Sequence, residues 1–132
     1  KPEKPPLKLI LEIAASGDLN PGPGGQPLPV VLRLYQLKQQ GTFMGADFYS
    51  LFDKESSVLG PDLVSREEVT LRPSQVLQIQ RTLDPAVTAV GVLAAYQAID
   101  RSRWRAVIGL KPGVDNTLRI IVAAEAVSAE AK

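Results

Sequence analysis

The chain has 132 residues, 45% of them hydrophobic and 22% charged, which is the composition of one globular domain with a real core and not of a disordered segment. Fifteen basic residues against fourteen acidic ones give a net charge of +1, so there is no basic field to hold a phosphate backbone and nucleic acid is not expected as a partner. Cysteine and histidine are both absent, which excludes disulfides, thiolate nucleophiles, Ser-His-Asp triads and ordinary zinc sites.

The chain opens KPEKPP, a polar, proline-rich stretch that reads as a tether over residues 1–6 and not as a signal peptide. No apolar run approaches the roughly 20 residues that a membrane helix needs. Residues 7–13, LKLILEI, place Leu7, Leu9, Leu11 and Ile13 on one face, the two-residue period of a half-buried strand. A Pro/Gly-rich stretch follows. Residues 30–38, VVLRLYQLK, form the second strand, with Val30, Leu32 and Leu34 facing one way and Arg33 and Tyr35 the other. The period then changes. Phe48, Leu51 and Phe52 fall at i, i+3 and i+4, predicting a short helix over 45–53 within an insertion at 44–58. Two turns of helix are too short to stand alone, so Phe48 and Phe52 are expected to pin it to the strands.

Residues 54–66 read as irregular, with a turn at Gly60-Pro61. Val69 and Leu71 alternate with polar neighbours, Arg72-Pro73-Ser74-Gln75 is a turn, and Leu77 and Ile79 alternate again. Asp84-Pro85 turns the chain into the apolar run 87–96, which suits a strand with neighbours on both edges; Gly91 within it predicts a bulge or a close approach. Residues 103–110 place Trp104, Ala106, Ile108 and Leu110 toward the core, with Arg101, Arg103 and Arg105 toward water. After Lys111-Pro112-Gly113, residues 117–124 make a last strand that the tail AEAVSAEAK extends a little. The expected fold is all-β: a single domain over 1–132, a two-sheet sandwich of about seven to eight strands with a helical insertion after the second.

No residue is singled out for catalysis, metal or cofactor binding. Glu67 and Glu68 are neighbours on a strand and point to opposite faces. Asp47 suits a first helical turn; Asp53 ends the helix; Asp84 and Asp115 suit turns. No GxSxG or SxxK occurs, and Gly22, Gly24 and Gly25 are interleaved with prolines and followed by strand, so they make no phosphate loop.

The informative stretch is residues 18–29, DLNPGPGGQPLP. Proline fixes φ at Pro21, Pro23, Pro27 and Pro29, glycines permit tight reversals, and no charge follows Asp18. A neutral, preorganised loop binds at lower entropic cost than a slack one. The expected partner-binding residues are Leu19, Asn20, Pro21, Gly22, Pro23, Gly24, Gly25, Gln26, Pro27 and Leu28. Two rivals stand beside this reading: a carboxylate-dependent hydrolase of periplasmic glycans, which needs two converging carboxylates, and a sandwich that binds through an exposed edge strand.

The ordered set PVVLRLYQLKQQGTFMGADFYSLFD (29–53), LGPDL (59–63), EEVTLRPSQ (67–75) and VGVLAAYQAIDRSRWRAV (90–107) resembles the TssJ family, the outer-membrane lipoproteins of the bacterial type VI secretion system. The resemblance spans about residues 7–110. It implies a transthyretin-like sandwich, no cofactor, a lipid anchor on an N-terminal cysteine that this chain does not contain, and a place on the periplasmic face of the outer membrane. The implied partner is the periplasmic C-terminal region of TssM, bound through the loop between the first two strands, here residues 16–29, by a domain that is itself monomeric.

Overall fold

Apolar residues at every second position build β1 (Leu7–Ala15), in which Leu9, Leu11 and Ile13 are buried and their neighbours are not. The computed structural model describes residues 6–132; the expected tether, apart from Pro6, lies outside the described residues. The elements that follow are β2 (Val30–Leu37), α1 (Gly41–Gly45), α2 (Phe48–Leu59), a 3-10 turn at Gly60–Asp62, β3 (Leu63–Leu71), β4 (Val76–Leu83), β5 (Ala89–Ala94), a second 3-10 turn at Ile99–Arg101, β6 (Arg105–Gly109), β7 (Asn116–Val122) and β8 (Val127–Ala131).

Among the described residues eight strands form two four-stranded sheets, as expected for a sandwich: β4-β1-β7-β8 and β3-β2-β5-β6. In the first, β1 pairs antiparallel with β4, Leu7 opposite Leu83, and parallel with β7, Leu9 opposite Asn116. In the second, β5 lies between β2 and β6, the two-sided position that its unbroken apolar run predicts. The inner faces share one core, to which Leu9, Leu11, Ile13, Leu32, Val92 and Ile120 belong.

The second sheet is covered on its outer face as well. Arg33, Tyr35 and Leu37 of β2 and Ala89 and Leu93 of β5 point away from the first sheet, yet all are buried. α1 and α2 lie over them, supplying Phe43, Leu51 and Leu59 to a second core. This is why β2 and β5 show little polar alternation: a strand covered on both faces has no solvent side. The stripe Phe48, Leu51, Phe52 does dock the helix, with Leu51 fully buried and the two phenylalanines partly so, and a second fully buried pin is Phe43 of α1, upstream of the expected helix. Gly91 makes room for it. A Cβ at Gly91 would lie 3.0 Å from the Phe43 ring, so the close approach that this glycine predicts is to an aromatic side chain.

Other departures from the sequence reading have local causes. The helical segment is two helices where one was expected, with Asp47 as the cap of the second, accepting from the Ser50 amide at 2.7 Å; that bond holds its carboxyl below the usual carboxylate range. Asp53 therefore lies inside α2 and not at its end. Residues 63–66 are strand, extending β3 upstream along β2. The tail does not extend β7. It reverses at residues 123–126, where the Ala123 amide donates to the Ala126 carbonyl at 2.8 Å, and returns as β8. Arg105 does not face water: its guanidinium donates to the Phe43 carbonyl at 2.9 Å and to the Ala46 carbonyl at the end of α1, and lies 4.4 Å from the Trp104 ring centre. An arginine can satisfy the orphan carbonyls of a helix C-terminus, and α1 has no basic residue of its own in its last turn.

Candidate partner-binding loop

Residues 16–29 carry the chain from one sheet to the other across one pole of the sandwich, between β1 and β2. The base is built into the fold. The Ser16 amide donates to the Val122 carbonyl at 2.9 Å, and the Ser74 amide donates to the Ser16 carbonyl at 3.1 Å. Leu19 is fully buried in the main core, closing its end. Asn20 is 3% exposed and sits at φ +47, a left-handed conformation that asparagine tolerates better than most residues. Its amide donates to the Ala124 carbonyl at 3.0 Å, its Nδ2 donates to the Pro29 carbonyl at 2.9 Å, and its Oδ1 accepts from the Gln97 amide at 2.7 Å. One side chain thus ties the loop's two ends together and fastens both to the β5–β6 connection.

Above this base the Leu28 amide donates to the Leu19 carbonyl at 2.9 Å. The tip is a three-residue reversal, Pro23-Gly24-Gly25. The Gly25 amide donates to the Gly22 carbonyl at 2.9 Å, closing a β-turn with Pro23 at the position that wants its fixed φ. Gly25 then takes φ +81, and the Gly22 amide reaches the Gln26 carbonyl at 2.8 Å. A β-turn followed by a left-handed glycine is a standard way to close a three-residue hairpin. The prolines and glycines therefore fold the tip on itself.

Pro23, Gly24, Gly25, Gln26 and Pro27 are exposed, while Pro21, Gly22 and Leu28 are half-buried. Two of the ten expected binding residues, Leu19 and Asn20, are buried. They act as the loop's footing, because a connection between two sheets must close the core beneath it. The tip has no charged side chain. The ion pair Arg101–Glu125, at 2.8 Å, lies beside Ala124, whose carbonyl accepts from the Asn20 backbone amide. The same β7–β8 reversal is held by Tyr96, whose hydroxyl donates to the Ala123 carbonyl at 2.9 Å; burial pushes this phenol up, so it stays a neutral donor. Asn20→Ala is expected to cost roughly 2–4 kcal/mol, because it orphans a buried amide and carbonyl and leaves a non-glycine residue at positive φ without compensation. Urea unfolding checks this, and a loss under 1 kcal/mol would mean that water replaces the side chain.

The neighbouring carboxylates Glu67 and Glu68 are each held by an arginine. Glu67 pairs with Arg81 at 2.6 Å and Glu68 with Arg33 at 2.9 Å. Sequence reasoning passed over Glu55, whose side chain is only 12% exposed and which binds Arg33 at 3.3 Å, Arg66, and the Tyr35 hydroxyl. The signal was available: Arg33 in the middle of an apolar strand demands an acid partner. Among the described residues, no group of three or more acidic side chains is placed to hold a metal ion.

Comparison with known proteins is consistent with this architecture. Residues 7–125 match the family model described as type VI secretion lipoprotein, VasD, EvfM, TssJ. The chain belongs to this family of type VI secretion lipoproteins. The structure of the T6SS lipoprotein TssJ1 from Pseudomonas aeruginosa superposes with a TM-score of 0.92 at 38% identity, over 97% of this chain and 98% of that one. A chain in a structure described as the type VI membrane complex matches with a TM-score of 0.79 at 30% identity, covering 93% and 97% of the two chains. A chain in a structure described as the TssM C-terminal domain from EAEC matches with a TM-score of 0.76, again at 30% identity over 93% and 97%. No curated protein matches in sequence.

Proposed function

We propose that this chain is the outer-membrane lipoprotein of a type VI secretion membrane complex, lying on the periplasmic face, and that the tip at residues 21–28 binds the C-terminal periplasmic region of TssM. The observation that carries the reading is the hydrogen-bonded, uncharged reversal at Pro23–Gly25 standing on a buried footing. A tip already closed on itself loses little conformational freedom on binding. The structures of related chains described as a type VI membrane complex and as a TssM C-terminal domain support the choice of partner. The protein acts by holding this surface out, without bond-making chemistry, while a lipid N-terminal to the described residues fixes it to the membrane.

The test replaces residues 22–27 with a Gly/Ser turn and titrates the variant against the C-terminal periplasmic fragment of the cognate TssM by calorimetry. The expected result is an affinity at least a hundredfold weaker with a melting temperature within about 2 °C of the parent, since no buried group is touched. Unchanged affinity removes the tip from the account; edge-strand variants in β3 or β4 that abolish binding would replace it with strand augmentation.

A further inference from the structure

The pole opposite the loop carries an apolar groove. It is lined by Pro6, Leu7, Leu83, Pro85 and Gly113, with Thr82 and Asp84 at its rim, and has a volume of about 660 Å³, within the ~300–1,000 Å³ span of ordinary small-ligand clefts. It runs on into a second hollow that adds Val87, Leu110, Lys111 and Pro112 to the shared Leu7, Leu83 and Pro85. Val114, in the same turn as Gly113, is 47% exposed. None of these residues takes part in the loop described above.

We propose that this groove seats an acyl chain of the membrane leaflet on which the protein is anchored, so that the domain rests on the bilayer by this pole. Two observations choose this occupant. The family is one of lipoproteins. And β1 begins at this pole, with Pro6 itself in the groove wall, so an anchor carried N-terminal to the described residues joins the domain here. Lys111 lines the second hollow and Lys8, next to Leu7, is exposed; Asp84 and Asp115, which accept from the Ala86 and Lys8 amides at 2.8 Å each, balance the two lysines, so the rim carries no net negative charge to repel a membrane surface. The loop tip then points away from the bilayer. This proposal rests on the N-terminal anchoring given under Proposed function but not on the TssM contact.

The experiment uses chain 1–132 without any lipid. Dodecylphosphocholine, kept below its micelle threshold, is titrated while backbone amide resonances are followed. Saturable shifts are expected at Leu7, Leu83, Val87, Leu110 and Gly113, with none at Gly24 or Gly25, and glycerophosphocholine, the headgroup alone, moves none of them. Pro85→Glu combined with Pro112→Glu, both at exposed positions, loses the shifts and lowers co-flotation with phosphatidylethanolamine/phosphatidylglycerol vesicles at least tenfold, at an unchanged melting temperature. Shifts that are absent, scattered over the surface or reproduced by the headgroup overturn the proposal. So does a deletion of residues 1–5 that moves the same amides with no amphiphile present, because the occupant is then the protein's own segment. TssM titration of the loop variant is read separately, so either idea can fail without the other.

Discussion

Glu55→Ala should lower the stability of the domain by about 3 kcal/mol, the low end of what breaking a buried ion pair costs. The reason is what remains. Arg33 is 10% exposed at its side chain and keeps the Glu68 carboxylate and the Phe52 carbonyl, at 2.9 and 2.7 Å, but loses its most buried counter-charge. The Tyr35 hydroxyl, which donates to Glu55 beneath α2, is left with no acceptor in a site where burial and the carboxylate already push its phenol up. The fall should appear as a drop of roughly 10 °C in melting temperature by circular dichroism. A second arm separates charge from packing. Arg33→Met combined with Glu55→Leu should recover much of the loss, since well-packed apolar replacements of a buried pair are often neutral. A single-variant loss under 1 kcal/mol would show that solvent reaches the cluster.

The second large effect belongs to Phe43. It is fully buried against Tyr35, with ring centres 5.6 Å apart, and against the bare backbone of Gly91. Phe43→Ala should cost about 3–5 kcal/mol, the transfer and cavity terms of a deleted core aromatic. Gly91→Ala should cost about 1–3 kcal/mol for the opposite reason, since the new methyl meets the ring at 3.0 Å. The two must couple. In a Phe43→Leu background Gly91→Ala should be far milder, and a double-mutant cycle measured by urea denaturation reads the difference directly. Strict additivity would mean that the ring moves aside freely and that α1 is less firmly docked than its burial indicates.

These two sites also mark where the sequence was readable. The alternation of Leu7, Leu9, Leu11 and Ile13 and the turn signals at Pro73, Pro85 and Pro112 place strands and reversals, because each is written in adjacent residues. Long-range closure is not. GTFMG has no helical period to show, yet Phe43 is the anchor of the second core, because Gly91, 48 positions later, leaves the space for it. The segment AAEAV contains no Gly, Pro, Asn or Asp, so nothing local announces a turn. It reverses because Arg101 pairs with Glu125 and the Arg103 amide donates to the Glu125 carbonyl at 2.8 Å. The loop at 18–29 was legible as a stiff, neutral segment. Its division into a buried footing and an exposed tip was not, since Leu19 reads equally as contact surface or as plug, and the partners of Asn20 lie at the far end of its own loop and in two other connections.

The central position of β1 has a mechanical consequence. It is held on one side from Leu7 to Ala14 by β4 and on the other from Leu9 to Ala15 by β7. Its nine residues span roughly 30 Å. A pull applied between the N-terminal side of Pro6 and the tip at Gly24 runs along this one strand, parallel to its length. Such a load is carried by the backbone of a strand that is already extended, so it draws out little slack and neither ladder has to break. A tether at one end and a grip at the other would therefore be joined by the part of the molecule best able to bear tension, with α1 and α2 left outside the line of force.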